Sequence, residues 1–456
     1  MATATQPLPD TLPPRTLYGY AFGSVGTGVF STVPGLVLAY FLTDTLGVAA
    51  GLAAAVVAVP KAWDVIALPW VGRLSDRYAG RTGRRTPFLI GGGIALVVLF
   101  VLMFAVPPSL GPTAAAAWVF VTFVLASTAF AFFQVPYIAL SAEVTKNSQQ
   151  RAVLMSRRVV FLTIAILLSG AVAPLIRDAL GGQYVGYLVM ALAMAALMGV
   201  GIALCVWGLR PAPTMVQPQA EGSFLAQAKA VAGHREFTTL LAAFVLQALA
   251  TAAMLAAAQY YATYVLNKPG LVTVLFACLV APAILVMPLW SRVARTRGKR
   301  TGFLWASLLF LAGTVLLGVV TILGSALAGV VVAVVMCGVA YAGMQMFPLS
   351  MLPDTIAAAA NASGDQRNGV FTGFWTAGET LGFAIGPALV LGILAITGFV
   401  STSAGESVTQ PGSAVTGVSV TMTLLPAVLT ALSLVFVLRY RLDESTAEYA
   451  APELAS

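Results

Sequence analysis

KAWDVIALPWVGRLSDRYAGRTGRR, residues Lys61–Arg85, opens with two charges inside an apolar run and closes in a cluster of arginines. Lys61 and Asp64 are three residues apart, so on a helix they share a face. A cation and an anion in hydrocarbon cost several kcal/mol if left unpaired, and charges kept there mark a functional pathway by default. Arg73, Arg77, Arg81, Arg84 and Arg85 gather where the run ends, the place where basic residues orient a membrane helix.

The rest of the chain agrees with a membrane setting. Of 456 residues, 59% are hydrophobic and only 9% are charged, which is far from the usage of a soluble domain. Apolar runs of about 20 residues or more suit helices crossing roughly 30 Å of hydrocarbon at 1.5 Å per residue. They are too long for the alternating strands of a barrel. The expected fold is an all-α membrane protein with twelve transmembrane helices. The spans fall near 17–42, 48–74, 87–106, 114–142, 152–176 and 184–208, then 237–265, 270–291, 301–323, 326–350, 369–396 and 416–440.

The net charge of +8 resides in short loops between these runs, so it serves the lipid bilayer and not a nucleic acid. With the N-terminus inside, the inner loops hold the five arginines above, Lys146, Arg151, Arg210, Lys229 and Arg235. They also hold Arg292, Arg295, Arg297, Lys299, Arg300, Arg367, Arg439 and Arg441, against Arg177 and Lys268 outside. Both termini are therefore expected in the cytoplasm, with the chain in a plasma membrane, and a bacterial one is the expectation. The opening MATATQPLPDTLPPR lacks the charged start and cleavage site of a secretory signal.

Residues 209–236 form the longest inner connection, beginning LRPAPTMVQPQ, and divide the chain into halves at 1–208 and 237–456. GRTGRR (80–85) after the second span has a counterpart in RTRGKR (295–300) after the eighth, which points to an internal duplication. Such a six-plus-six bundle is expected to place its substrate site at the midplane and to act as a monomer. Enzyme signals are missing. His234 lies alone in the central connection, Cys205, Cys278 and Cys337 are scattered in apolar runs, and no zinc, redox or nucleotide motif occurs. Neither cofactor nor metal is expected, and a gradient must supply any energy.

GRLSDRYAGRTGRR resembles the loop between the second and third helices of the major facilitator superfamily. More narrowly, LTDTLGV (42–48), WDVIALPWVGRLSDR (63–77), VPYIALSAEVTKNSQQR (135–151) and RNGVFTGFWTAGETLG (367–382) resemble the glycoside-pentoside-hexuronide cation symporters, the family of the melibiose carriers. The resemblance covers nearly all spans. It implies two six-helix halves that rock about a central site, with a small-molecule substrate and a coupling cation.

The departures bear on mechanism. Where the resemblance implies two aspartates four residues apart on the second helix, this chain has Asp64 and Leu68. A lone carboxylate suits a proton better than sodium, which needs several oxygen ligands, so H+ is the expected coupling ion. The family's sugar-binding acids are also replaced: no acid lies between Tyr18 and Asp44, and Gln134 occupies the fourth-helix position. On the eleventh helix a family lysine is implied near Thr380, where this chain carries Glu379. The family's fifth-helix arginine matches Arg158, preceded by Arg157.

Asp64 and Glu379 each lie about ten residues, or roughly 15 Å, from the cytoplasmic end of their spans. Together with Lys61 they are the candidates for cation coupling; the competing reading of Lys61 and Asp64 is a permanent buried salt bridge. Arg158, Gln134, Tyr137, Trp63, Trp375 and Thr380 are the candidates for substrate binding. Arg158 could instead snorkel to headgroups, Gln134 join helices, and the tryptophans pack. Tyr260, Tyr261 and Tyr264 read as an interfacial belt. Asp76, Arg77, Arg84 and Arg85 are expected to form a cytoplasmic gating network, or else to set topology alone. The leading expectation is proton-coupled symport of a sugar, glycoside or similar small solute. An amphipathic cargo such as a drug or lysolipid is the alternative, and a non-transporting sensor a third.

Overall fold

The computed structural model describes residues 12–145, 148–210, 233–363, 368–404 and 408–442. Among them twelve helices are long and apolar enough to cross a membrane. They are α1 (Pro14–Asp44), α2 (Ala50–Thr82), α3 (Thr86–Phe104), α4 (Pro112–Ser141), α5 (Val153–Ala179) and α6 (Tyr184–Leu209). The second six are α7 (Arg235–Val265), α8 (Leu271–Arg297), α9 (Lys299–Ile322), α10 (Leu327–Ala359), α11 (Phe371–Ile396) and α12 (Gly412–Arg439). The fold is that of an all-α membrane protein in two six-helix halves, as its sequence implies.

Local chemistry sets the helix ends. Pro14 and Pro112 sit in the first turns of α1 and α4, where a missing N–H costs nothing. The two basic loops that suggest duplication each carry a glycine stop: Gly83 (φ 66°) ends α2 and Gly298 (φ 81°) ends α8. Positive φ is open to glycine without steric cost. Internal prolines interrupt α2 at Pro60 and Pro69 and α8 at Pro288, freeing carbonyls inside the spans. A π-helical turn occurs in α1 at Pro34–Leu38 and in α7 at Tyr261–Val265.

The chain forms two compact units, Met1–Pro218 with Val400–Thr409, and Gln219–Phe399 with Gln410–Ser456. The expected linker 209–236 lies mostly outside the described residues, as do Lys146, Lys229 and Arg367. In the first unit α1 packs on α5 and α6, α2 on α4, and α3 on α4 and α6. In the second, α7 packs on α11 and α12, α8 on α10, and α9 on α10 and α12. Adding six to each helix number of the first set reproduces the second, so the internal repeat extends to the packing scheme.

Lipid tails supply no hydrophobic drive between spans, so close van der Waals approach must do so. Gly19 of α1 and Gly208 of α6 touch backbone to backbone; a Cβ on either would lie 2.6 Å from the other's Cα. On α11, Gly378, Gly382 and Gly386 repeat every four residues against Leu241, Ala248 and Ala252 of α7. The α11–α12 connection is a part of the first unit that its sequence does not reveal. Thr402 N–H donates to Thr43 O at 2.8 Å and Ala404 N–H to Thr45 O at 2.9 Å.

The belt reading of the α7 tyrosines is overturned for two of the three. Tyr260 and Tyr261 are fully buried. The Tyr261 hydroxyl is 2.6 Å from that of Thr321, and the Tyr260 ring meets Phe399 edge-on. A phenol can enter the core when its hydroxyl finds a partner there. The three cysteines are free thiols.

Candidate functional site

The first unit holds the charged pair. Asp64 is only 3% exposed, and Lys61 Nζ lies 3.5 Å from its Oδ2. The same ammonium sits over the rings of Phe30 (5.1 Å) and Phe123 (5.6 Å), so α1 and α4 both contribute aromatic faces to it. Asp64 Oδ1 is buried and has no hydrogen-bond partner. The Ser127 hydroxyl on α4 is likewise buried without a hydrogen-bond partner. Trp63, 39% exposed, points elsewhere and donates its indole N–H to Thr128 at 2.9 Å.

A second polar cluster joins α1, α4 and α5. The Thr27 hydroxyl donates to Gln134 Oε1 at 2.6 Å, which is the helix-joining role weighed for this glutamine. Tyr137 is fully buried. Its hydroxyl donates to Tyr20 O at 2.7 Å and lies 2.9 Å from Ser24 Oγ, while its ring stacks on Tyr20 at 4.6 Å. As a direct substrate contact Tyr137 is therefore corrected: its ring is covered on both the Tyr20 and Phe133 sides. Arg158 reaches over that ring at 5.8 Å, and its Nε is a buried donor with no partner. This arginine turns inward and does not snorkel. Arg157 behaves differently, donating to the exposed Tyr18 hydroxyl at 2.9 Å.

Beneath Gly83 the chain turns back and brings Arg85 against α2 and α4. Its Nη2 lies 2.7 Å from Asp76 Oδ1 and 2.7 Å from Glu143 Oε1. Nε donates to Glu143 at 2.9 Å and Nη1 to Ser75 Oγ at 2.7 Å. Burial pushes the Glu143 carboxyl above the ordinary glutamate range, with Arg85 opposing. Burial also opposes the charge on Arg85, yet Glu143 and Asp76 together raise its pKa. The expected gating set is thus brought together in part. Asp76 and Arg85 meet, whereas Arg77 and Arg84 are exposed and outside the cluster. Glu143 completes it; the run VPYIALSAEV that carries the resemblance contains this residue, which went unassigned. The second unit repeats the device with Lys299 and Asp354, 2.5 Å apart.

Within the second unit, Glu379 is half-buried and within electrostatic range of Tyr341 of α10, whose hydroxyl accepts from Gln345 Nε2 at 3.0 Å. Neither partner is apparent from spacing alone. Thr380 donates to Thr376 O at 2.9 Å. Trp375, at 2% exposure, stacks on Phe244 at 4.5 Å, so the substrate-stacking expectation for it is corrected to packing. Its indole N–H is buried without a partner. Among the described residues no group of three or more His, Cys, Asp or Glu side chains could hold a metal ion.

Comparison with known proteins places this architecture. A family model described as MFS/sugar transport protein matches residues 19–444. Uncharacterized symporter YnaJ of Bacillus subtilis is 26% identical over 434 residues, covering 93% of this chain and 91% of that protein. Glucuronide carrier protein homolog of Escherichia coli is 24% identical over 437 residues, covering 94% and 93%. The crystal structure of nucleoside transporter NupG shares the fold, with a TM-score of 0.60 at 12% identity over 94% of this chain and 98% of that one. A multi-pass helical architecture, matched over residues 19–444 by a transporter family, carries the assignment: the chain belongs to the MFS/sugar transport family, among the glycoside-pentoside-hexuronide-like symporters of the major facilitator superfamily.

Proposed function

We propose that the protein is a secondary transporter working by alternating access, coupling inward proton movement to symport of a sugar, glycoside or similar small solute. The observation that carries this reading is Asp64: one carboxylate in an apolar span, paired with Lys61 through one oxygen and left with a bare buried oxygen on the other. A proton satisfies that oxygen and cancels the charge that Lys61 balances. Sodium would require several more oxygen ligands than one carboxylate and Ser127 offer. Glu379 beside Tyr341 supplies a second carboxyl in the other unit.

Arg158 is the residue to which we assign the substrate. Its unsatisfied Nε–H can complete its bonding on a hydroxyl or carboxylate of the solute, and guanidinium geometry suits both. The name of the Escherichia coli glucuronide carrier homolog supports acidic sugars as members of the panel to test. The protein is assigned to the plasma membrane with both termini inside, as a monomer.

The test is substrate-driven proton movement in proteoliposomes, with sugars, glycosides, uronides and amphiphiles in parallel. Alkalinisation outside on addition of a sugar-type solute, absent in Asp64→Asn, is the expected result. Flux without proton movement overturns the coupling, and a response restricted to amphiphiles overturns the cargo.

A further inference from the structure

α1, α5 and α6 meet at an exposed corner. The Gly19–Gly208 crossing brings the start of α1 onto the end of α6. There the Arg15 guanidinium lies 3.9 Å from the centre of the Trp207 ring and donates to Trp207 O at 2.8 Å. One turn along α1, Tyr18 accepts from Arg157 of α5, whose guanidinium lies 5.2 Å from the tyrosine ring. Arg15 and Tyr18 are three residues apart, hence neighbours on one helix face at about 5–6 Å between Cβ atoms. Each of the two guanidinium groups is thereby propped on an aromatic ring at adjacent positions of α1.

The level of this corner in the bilayer follows from exposure. On α6 the exposed positions Val185, Leu192, Val200 and Trp207 recur every seven or eight residues, an apolar stripe that turns to Arg210 just after the tryptophan. On α5, Leu168 and Ile164 are exposed in the same manner and the stripe ends at Arg157. Trp207 is 56% exposed. A lipid-facing stripe closing in tryptophan and arginine marks the boundary between hydrocarbon and headgroups.

We propose that this corner binds the phosphodiester headgroup of an anionic phospholipid, held by Arg15 and Arg157 with its acyl chains along the α6 stripe. Arginine offers phosphate paired parallel donors, and basic recesses between membrane helices suit acidic headgroups. Tyr18 and Trp207 orient the two guanidinium groups and cover the glycerol level. Each basic residue near a membrane surface is worth about 1 kcal/mol, or roughly fivefold in affinity, so losing both costs roughly 30-fold.

The test uses the full chain in nanodiscs of phosphatidylcholine, with or without phosphatidylglycerol, and in phosphatidylcholine with added inorganic phosphate. Phosphatidylglycerol is expected to raise the unfolding temperature of the native protein and not that of Arg15→Gln/Arg157→Gln; phosphate alone is expected to do nothing. An equal rise in both proteins, or a rise reproduced by phosphate, overturns the proposal. Should the double variant fail to fold, tryptophan quenching by brominated lipid decides. Brominated phosphatidylglycerol is expected to quench more than brominated phosphatidylcholine, with the excess missing in Trp207→Phe. An excess that persists in Trp207→Phe, or no excess in the native protein, overturns it.

Discussion

Lys61 Nζ approaches Asp64 Oδ2 at 3.5 Å while Asp64 Oδ1, equally buried, bonds to nothing. A salt bridge built only for stability would satisfy both carboxyl oxygens, since each unpaired polar atom costs about 1–3 kcal/mol in a dry interior. The half-satisfied carboxyl is the observation on which the proposed coupling role of Asp64 rests.

Whether the two side chains interact can be measured with a double-mutant cycle. Lys61→Gln leaves Asp64 without its cation, and Asp64→Asn leaves Lys61 between Phe30 and Phe123 without its anion. Each single change is expected to destabilise by about 1–3 kcal/mol, below the value for a fully buried pair because Lys61 is partly exposed. The pair Lys61→Gln/Asp64→Asn is expected to be more stable than either single variant in thermal unfolding. Additive losses would mean that the two side chains do not interact. Counterflow exchange should survive in Asp64→Asn, with accumulation against a gradient abolished.

Arg85 sits among three acceptors, and its neighbours differ in exposure, which ranks their variants. Removing Arg85 (Arg85→Gln) strands Glu143, a buried acid, beside Asp76, and is expected to cost about 3–5 kcal/mol. Glu143→Gln leaves the guanidinium with Asp76 and Ser75 and should cost less. Asp76→Asn, at the more exposed partner, should cost least. An order with Asp76 first would remove Arg85 from the centre of the network.

Glu143 also predicts a pH effect of defined sign. Its folded pKa lies above its ordinary value of 4.5 because burial outweighs Arg85, so the folded state takes up its proton at a higher pH than the unfolded chain does. Stability from this residue is present below the ordinary glutamate value and is lost as pH rises through the raised one. Arg85 does not enter this window, since its own pKa is raised from a value far above it. Unfolding temperature should therefore fall with rising pH between the ordinary and the raised value, and Glu143→Gln should flatten the slope. An unchanged slope in the variant would show that other groups carry it.

Arg158 is expected to act on substrate affinity and little on the fold, because its Nε has no protein partner to lose. Hydrogen bonds to charged groups are worth about 1.5–3 kcal/mol, so Arg158→Gln should raise KM roughly tenfold or more. Arg158→Lys should recover part of this loss. A variant with unchanged KM and a lower unfolding temperature would make the arginine a support for Tyr137.

The architecture is legible in the chain because hydropathy and basic loops report directly on membrane spans. GRTGRR and RTRGKR even locate the duplicated turns, since glycine and arginine have unambiguous local roles there. The sites are less legible. Gln134, Tyr137 and Trp375 sit at helical positions that spacing alone leaves open to either cavity or core, and tertiary packing decides for the core. Glu143 was hidden for the opposite reason: it closes the C-terminal end of its helix, and only the turn at Gly83 brings Arg85 to it. Tyr260 and Tyr261 were misleading because aromatic residues near a span's end have two outlets, the headgroup layer and a buried partner such as Thr321.

Backbone proximity in the first unit yields the last prediction. A methyl group on Gly208 would lie 2.6 Å from Gly19 Cα and 2.7 Å from Arg15 O, and neither is a side chain that can swing away. Gly208→Ala must therefore separate α1 from α6, at a cost of about 1–3 kcal/mol for overpacking. Gly91 on α3 is the control, since nothing lies within 4 Å of the Cβ it would gain. There alanine should be neutral or stabilising by up to about 1 kcal/mol through helix propensity. The two substitutions are chemically identical and both lie in membrane helices, so a difference in unfolding temperature isolates the crossing. If Gly208→Ala matched Gly91→Ala, the close approach of α1 and α6 would have no energetic weight.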